Sequence, residues 1–401
     1  MRTNNYRNIF LLLPLINGLS CRQPYFPSVA KSNLNYLVVD GTILNGADTT
    51  TITLSRTQNL TDSSYVLTGE TGAQVSVIGE NAETYPLIET GNGNYIAPQL
   101  NLNYNETYQL KIIRSNGNVY LSDSIPVKQT PPIDSVSWKD DSALMHFFVT
   151  THDPSNNTRY YRWNYTETWQ YQSTYFSKLI YQNGTLRERT PAENVYNCWS
   201  SANSTAILTG TSDALSQDII YEQPILDDSL FTFLYPVNHQ LILPGLSQKF
   251  TIEYSILVNQ YAITEAAYAF WQNLKLNTEG LGGLFSPEPS SQIPGNIHCV
   301  TNPKQPVIGY ITASTLQQKR IFINHYDLFL GTATLPEIGC VEGLIIPDSI
   351  NYYFSYPTLY TPIDSAFNMA GFFIGIIAAQ PYCVDCEANG GINIKPPYWP
   401  N

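Results

Sequence analysis

Short runs of alternating hydrophobic and polar residues dominate the first third of the chain. They occupy residues 37–43, 51–55, 73–78 and 108–113, and turn residues such as NGAD, GNGN and SNGN separate them. Within each run, successive side chains would point to opposite faces, which is the pattern of a half-buried strand. About seven short strands within about 100 residues predict a small immunoglobulin-like or transthyretin-like β-sandwich over residues 35–131.

The rest of the chain, residues 132–401, is predicted to form a larger β-rich domain. The segment KQTPP ends the first domain, and strands separated by Pro- and Asn-rich loops follow it. Residues 264–277 (TEAAYAFWQNLKLN) instead have helical spacing, with Thr264 as N-cap and apolar residues on one side. The apolar run 369–379 is too short to span a bilayer and is predicted to be a buried strand. The expected fold class is therefore mainly β, with one or two helices.

The N-terminus has the pattern of an export signal. Arg2 and Arg7 precede the apolar run 9–16, and small residues then lead to Cys21. We expect residues 1–20 to be a signal peptide and Cys21 to carry the acyl chains of a lipoprotein. Residues 21–34 would then be a lipidated tether, and two or three acyl chains would hold the protein stably on a membrane. The alternative is an ordinary cleaved signal peptide with an incidental cysteine.

Composition narrows the setting further. Hydrophobic residues make up 43% of the 401 residues, but charged residues only 13%, so uncharged polar residues must cover much of the surface. Such a surface is common among exported β-rich proteins. The net charge is −12 and there is no basic run, which argues against a nucleic-acid partner because phosphate binding needs clustered Lys and Arg.

The stretch YYRWNYTETWQYQ, residues 160–172, allows two interpretations. As a strand, it would place aromatic residues and Glu167 on one face and polar residues on the other. That face is either one side of a buried core or a platform on which Trp163 and Trp169 stack a sugar or peptide, with Glu167 orienting it. A carboxylate under aromatic rings needs a partner, for which we expect a guanidinium. The candidate partners of Glu167 are Arg187, Arg189 and Arg320.

Five cysteines follow Cys21, and export favours disulfide bonds between them. The candidates are Cys198, Cys299, Cys340, Cys383 and Cys386. Five cysteines can form two bridges in fifteen ways, among which spacing does not choose. The C-x-x-C at 383–386 leaves open a redox site, although no helix is predicted there. Together with Cys340, Cys299 and His298 it also leaves open a zinc site, but the spacing is not diagnostic of zinc.

No local catalytic motif stands out. The histidines are scattered singly, and H-E-x-x-H, G-x-S-x-G and phosphate-binding glycine loops are absent from the sequence. We therefore assign no catalytic residue, cofactor or metal, and do not expect an enzyme. Paired carboxylates leave no local signature, so a hydrolase stays open.

Several segments together resemble one family of Bacteroidota lipoproteins, catalogued as domain of unknown function 4249. They include CRQPY after the signal, YYRWNYTETW, NCWSS, PVIGYITAS and the terminal CVDCEANGGINIKPPYW. The resemblance covers nearly the whole mature chain. It implies an outer-membrane lipoprotein often encoded beside a TonB-dependent receptor, and it implies no catalytic residues.

Three functions remain open at this stage. The first is a lipid-anchored accessory protein that captures substrate for a TonB-dependent transporter, on the periplasmic or the outer face of the membrane. It requires an exposed aromatic cleft. The second, a structural or assembly subunit, requires a large apolar patch. The third, a carbohydrate-active enzyme, requires two carboxylates roughly 5 to 10 Å apart in a cleft.

Overall fold

A computed structural model of the chain describes residues 35–57, 69–141, 143–232, 245–279, 294–328, 339–356 and 359–400. The predicted signal peptide, the lipidation site at Cys21 and the tether lie outside the described residues. The described part is mainly β, as expected from the sequence, and contains one long helix and two short ones. None of its helices is long and apolar enough to cross a membrane.

The first part of the chain forms eight short strands. They are β1 (Leu37–Leu44), β2 (Thr50–Arg56), β3 (Gln74–Gly79), β4 (Thr84–Gly91), β5 (Asn94–Ala97), β6 (Thr107–Ile113), β7 (Val119–Ser122) and β8 (Ile125–Lys128). Apolar residues alternate inward along most of them, as the binary pattern predicts, and β6 reads intermediate–buried throughout its length.

The middle of the chain contributes the longest strands and the long helix. The elements are β9 (Ile133–Asp140), β10 (Leu144–Asp153), β11 (Tyr160–Gln172), β12 (Leu179–Gln182), β13 (Thr185–Glu188), β14 (Asn197–Asn203), β15 (Leu208–Thr211), β16 (Asp218–Ser229), β17 (Phe231–Thr232), β18 (Gly245–Leu246), β19 (Glu253–Ile263) and α1 (Glu265–Thr278). Thr264 caps α1 by accepting a hydrogen bond from the Ala267 amide at 3.2 Å, so the predicted helix and its N-cap are confirmed.

The last part of the chain consists of short elements. They are β20 (Ile297–Cys299), β21 (Val307–Ile308), β22 (Thr312–Ser314), β23 (Leu316–Asn324), β24 (Gly343–Ile345), α2 (Ile350–Phe354), β25 (Thr361–Phe367), β26 (Phe373–Ala379) and α3 (Pro381–Val384). The run 369–379, predicted as one buried strand, is strand only from Phe373, and its first residues form an exposed turn.

The first sheet combines strands from both ends of the sequence. Its order is β20-β7-β6-β3-β4-β5-β2-β1-β22-β8, with β21 added beside β1, and a pairing between β6 and β8 folds the sheet back on itself. The core inside includes Tyr95, Tyr108 and Tyr120 together with Ile297 and Ile311. The sequence pattern predicts that residues 297–314 belong to the second domain. The structure pairs them with the first, because β1–β21 and β1–β22 are parallel pairs whose long connection leaves no local signal.

A second core lies between two further sheets. One has the order β16-β10-β9, and the other has β14-β11-β19-β23 with β15 also beside β11. Aromatic and aliphatic residues from both sheets, including Phe147, Trp163 and Tyr254, fill the space between them. This arrangement makes β11 a central strand, hydrogen-bonded along both edges.

The C-terminal strands β24, β26 and β25 form a small sheet, and of the two disulfides near it one reaches back to β14 and the other joins two C-terminal segments. Cys198 in β14 bonds Cys386, and Cys340 bonds Cys383, while Cys299 is buried and unpaired. The C-x-x-C cysteines therefore each have a distant partner. Among the described cysteines no thiol pair is left for the redox or zinc alternatives. Cys383 lies in α3, where no helix was expected.

Removing the longer disulfide should cost more stability than removing the shorter one. The sequence separations are 188 and 43 residues, and a bridge that closes a longer loop restricts the unfolded chain more. We expect Cys198→Ala/Cys386→Ala to lower the free energy of unfolding by about 2–5 kcal/mol, and by about 1 kcal/mol more than Cys340→Ala/Cys383→Ala. Urea titration of the oxidised proteins measures both values. An equal or reversed order would contradict the expectation.

Candidate binding site

The aromatic face of β11 is part of the second core. Trp163 is 1% exposed, its indole N–H donates to Gln260 Oε1 at 2.8 Å, and its ring stacks beside Tyr161 at 5.7 Å between centroids. Tyr165 and Tyr171 on the same face are also buried. The core interpretation of this stretch is therefore correct. The suggested stacking platform is corrected at Trp163, because no face of that ring is open to a ligand.

Glu167 is buried on the same face and has a charged partner. Lys249 Nζ lies 2.8 Å from Glu167 Oε1, and the Tyr254 hydroxyl donates to the same oxygen at 2.8 Å. Lys249 also lies 2.7 Å from Asp228 and 5.3 Å from the ring of the half-buried Trp169. Glu167 and Trp169 thus belong to a structural ion cluster rather than to a ligand site.

The expectation that a guanidinium pairs with Glu167 is wrong. Arg187 pairs with Glu193, Arg189 donates to the Leu179 carbonyl, and Arg320 donates to Ser255. The counter-charge of Glu167 is Lys249. Lys249 lies in a single 3-10 turn, Gln248–Phe250, about 80 residues after Glu167, a distance at which sequence pattern carries no pairing signal.

Burial perturbs the ionisation of both groups in this cluster. Desolvation raises the pKa of the Glu167 carboxyl, and the hydrogen bond from Lys249 offsets this only in part. Desolvation alone would lower the pKa of Lys249, but the hydrogen bonds to Asp228 and Glu167 raise it. The cluster therefore holds a carboxylate in the core at a cost that Lys249 must balance.

A cavity in the described part of the chain lies beside α1, away from this cluster. It has a volume of about 780 Å³ and is lined by one face of α1, the outward residues of β1 and the segment 294–310. Phe270, Trp271 and Leu274 form the helix wall, and Val38 and Asp40 form the strand wall. The spacing of the three helix residues follows from the amphipathic pattern predicted for 264–277.

The wall opposite the helix depends on close approaches between backbones. Gly309 has φ +134°, and a Cβ there would lie 1.9 Å from the Val39 carbonyl oxygen. A Cβ on Gly295 would lie 2.0 Å from the Gly309 oxygen. These glycines let segment 294–310 lie directly on β1, with Val307 beside Leu37 in parallel register.

The same segment is fastened to the first sheet by polar contacts. Gln305 donates to the Tyr120 hydroxyl at 3.1 Å, and Thr301 accepts from the Val119 amide at 3.2 Å. Cys299, which also lines the cavity, lies with its Sγ 3.7 Å from Gln305 Oε1. These hydrogen bonds attach the 294–310 wall of the cavity to β7 of the first sheet.

The cavity is apolar and aromatic, with charge at a few points. The rings of Phe270 and Tyr310 lie 5.0 Å apart between centroids and are tilted by 37°, and Phe270 meets Trp271 edge-on at 5.3 Å. Arg162 from the polar face of β11 lies 3.9 Å over the ring of Trp271 and fixes its orientation. Asp40, Lys304 and His298 are the acidic and basic residues among the described lining residues.

Sequence reasoning found only part of this site. The apolar face of α1 was visible as a pattern, but its role in a cavity was not. Asp40, Lys304 and Tyr310 were not singled out, and the only available signal was the run of Pro and Gly residues between 294 and 309. Within the described ranges, no group of three or more His, Cys, Asp or Glu residues could hold a metal ion.

Comparison with known proteins identifies a family but no characterised relative. A family model described as "Domain of unknown function (DUF4249)" matches residues 22–320. The chain belongs to the DUF4249 family. No curated protein matches this DUF4249 protein.

Two solved structures align weakly with it. One is a two-domain fibronectin type III segment of chicken tenascin, at 10% identity, covering 56% of this chain and 90% of that one, with a TM-score of 0.16. The other is a putative carbohydrate binding protein from Bacteroides uniformis, at 10% identity, covering 57% and 90%, with a TM-score of 0.13. At these TM-scores neither alignment supports an inference about this DUF4249 protein.

Replacing Lys249 should destabilise the DUF4249 protein in a pH-dependent way. Lys249→Met leaves Glu167 buried without a counter-charge, and we expect a loss of about 3 kcal/mol in the free energy of unfolding at pH 8. The folded-state pKa of Glu167 would then lie further above its usual value of 4.5. The stability of the Lys249→Met variant therefore falls as the pH rises from the unfolded-state pKa of Glu167 through its folded-state pKa. The stability that the variant has lost relative to the parent protein should thus be smaller at pH 5 than at pH 8.

Urea titrations of the parent protein and of Lys249→Met at pH 5 and pH 8 measure the loss of stability at each pH. The double variant Glu167→Gln/Lys249→Met is the control, since it removes the buried ionisable carboxyl and should abolish the added pH dependence. A deficit that is equal at the two pH values, or larger at pH 5, would show that Lys249 does not neutralise Glu167.

Proposed function

We propose that this DUF4249 protein is a lipid-anchored accessory protein of the outer membrane that captures substrate for a TonB-dependent transporter. The observation that carries the proposal is the cavity of about 780 Å³ between α1 and the first sheet. Substrate capture requires an exposed aromatic cleft. A structural subunit requires instead a large apolar patch, and a carbohydrate-active enzyme requires a pair of carboxylates in a cleft.

The cavity has the size and lining of a small-ligand site. Such sites typically enclose about 300–1,000 Å³, with mostly apolar walls and a few polar groups that orient the ligand. Phe270, Trp271 and Tyr310 offer aromatic surface, and Asp40 and Lys304 offer charges of opposite sign. The cargo that fits this lining is a largely apolar or aromatic small molecule with one or a few polar groups.

The membrane setting rests on the N-terminal sequence. If Cys21 is acylated, 13 residues separate it from Asn35, the first described residue. A fully extended tether of that length spans at most about 50 Å. A cavity on so short a tether would stay close to a membrane transporter, which raises its effective concentration there.

The alternatives gain less from this cavity. A carbohydrate-active enzyme needs two carboxylates across a cleft, and Asp40 is the single carboxylate among the described lining residues. A structural or assembly subunit needs no ligand cavity at all. Both stay as alternatives to be distinguished by experiment.

Purification from the native outer membrane tests the partner. The protein, tagged at its C-terminus and solubilised in mild detergent, should co-purify with a stoichiometric TonB-dependent channel. A monomer free of any such channel, under conditions in which other outer-membrane complexes survive, would contradict the transport role.

Blocking the cavity should abolish ligand binding. Leu274→Trp puts a larger side chain into the helix wall, and Leu276→Trp makes the same change at an exposed position of α1 that does not line the cavity. With the apolar dye N-phenyl-1-naphthylamine as probe, we expect Leu274→Trp to weaken binding by at least about tenfold, or 1.4 kcal/mol, and Leu276→Trp to have no effect. Dye fluorescence titration measures this. Equal binding by the two variants would remove the cavity as the site.

A further inference from the structure

The hairpin formed by β25 and β26 ends in an unusually apolar turn, which we call the apolar tip (residues 367–374). Met369 is fully exposed, and Phe367 and Phe372 are 60% and 69% exposed. Phe373 and Ile374 are also among the exposed large hydrophobic residues. Single exposed apolar residues need no explanation, but a contiguous group of five marks a contact surface.

The turn is held open by its own hydrogen bonds. Asn368 Oδ1 accepts from the amides of Ala370 and Phe372, both at 3.0 Å. The Gly371 amide donates to the Asn368 carbonyl at 2.9 Å, and Asn368 donates to the Phe372 carbonyl at 2.9 Å. Gly371 has φ +82°, which this turn requires. The apolar side chains are therefore presented by an ordered turn and do not fold back onto the sheet.

The apolar tip lies in the middle of a long uncharged stretch. Residues 365–384 contain no Asp, Glu, Lys, Arg or His. The nearest charge before it, Asp364, pairs with Lys178. Charges at or near the tip would oppose transfer into an apolar medium, and here they are absent from the tip itself and from β26.

The form of the tip favours a lipid bilayer over a protein as its partner. A stable protein interface buries about 800 Å² on each side, on surfaces of matching shape. The tip is instead a single hairpin turn with five exposed apolar side chains. A bilayer also demands that backbone amides be satisfied within the inserted segment, and those of residues 370, 371 and 372 are bonded inside the turn.

We propose that the apolar tip inserts into the interface of a lipid bilayer. The inference adds to the proposed function, because it supplies a second attachment next to the acylated Cys21. With the tether holding the protein at the membrane, insertion of the tip becomes an intramolecular step and is favoured by the high local concentration of lipid.

Charge makes the proposal more specific. The chain has a net charge of −12, so anionic lipid repels it, and the tip has no basic residue to offset this. Binding should therefore occur on zwitterionic vesicles, and added salt should not weaken it. A basic peripheral protein would behave in the opposite way.

Vesicle flotation tests the proposal without the acyl anchor. The mature, unacylated chain, beginning at Arg22, is mixed with phosphatidylcholine vesicles. We expect it to float with the vesicles at both low and high salt, and Met369→Ser/Phe372→Ser to bind at least tenfold more weakly. Ile88→Ser is the matched control, since Ile88 is an exposed apolar residue on β4, outside the hairpin. It should bind like the parent chain.

A second variant reports insertion directly. Phe372→Trp should add fluorescence that is blue-shifted on vesicle binding and quenched by brominated phosphatidylcholine. Unchanged urea midpoints would show that each variant is folded, since residues 368–372 contribute no buried side chain.

The proposal would be overturned if the parent chain did not float with the vesicles, or if Met369→Ser/Phe372→Ser floated equally well. It would also be overturned if that variant lost co-purification with the transporter while the parent chain bound no vesicles. The last result would make the tip a protein-docking element. Flotation with no co-purifying channel would instead leave the tip proposal intact and contradict the transport role.

Discussion

Strand β11 is the element on which most of this structure depends. It pairs with β19 along one edge and with β14 and β15 along the other, and its two faces support different parts of the protein. The aromatic face closes the second core around Trp163. The polar face receives α1, through Arg162 over Trp271 and through Tyr160 against Tyr268 at 5.3 Å. The helix wall of the cavity is therefore positioned by the same strand that was singled out for its aromatic residues.

This dual role explains why a costly group such as Glu167 is tolerated in β11. A strand with a period of two cannot slip by one residue without exchanging its faces. A slip here would bury Arg162 and Asn164 and expose Trp163 and Tyr165. The ion cluster of Glu167, Lys249 and Asp228 links β11 to the turn before β19 and to β16, so it opposes such a slip from within the core. Its benefit is then the register of the sheet, while its net contribution to stability can be small.

The sequence pattern predicts those elements that depend on interactions between neighbouring residues. It does not predict contacts between residues that are far apart in the sequence. The alternation in β11 and the N-cap of α1 at Thr264 depend on neighbouring residues, and both were predicted correctly. Lys249 as the partner of Glu167 and the pairing of Cys198 with Cys386 depend on contacts between residues about 80 to 190 positions apart. The cavity belongs to this second class, because its strand wall and its Gly309 wall meet only after the chain returns from the second core to the first.

The C-terminal segment extends the same frame toward the hairpin. The Tyr171 hydroxyl, at the end of β11, donates to the Cys386 carbonyl at 2.8 Å, next to the disulfide that Cys386 makes with β14. A Cβ on Gly391 would lie 2.2 Å from that hydroxyl, so the chain after the disulfide lies directly on β11. The hairpin leads into this anchored segment through α3, which the disulfide of Cys383 also holds. An apolar turn on a flexible arm could collapse onto the protein surface, whereas one fixed through β26 to a doubly cross-linked segment stays exposed, which is the condition for it to meet a bilayer.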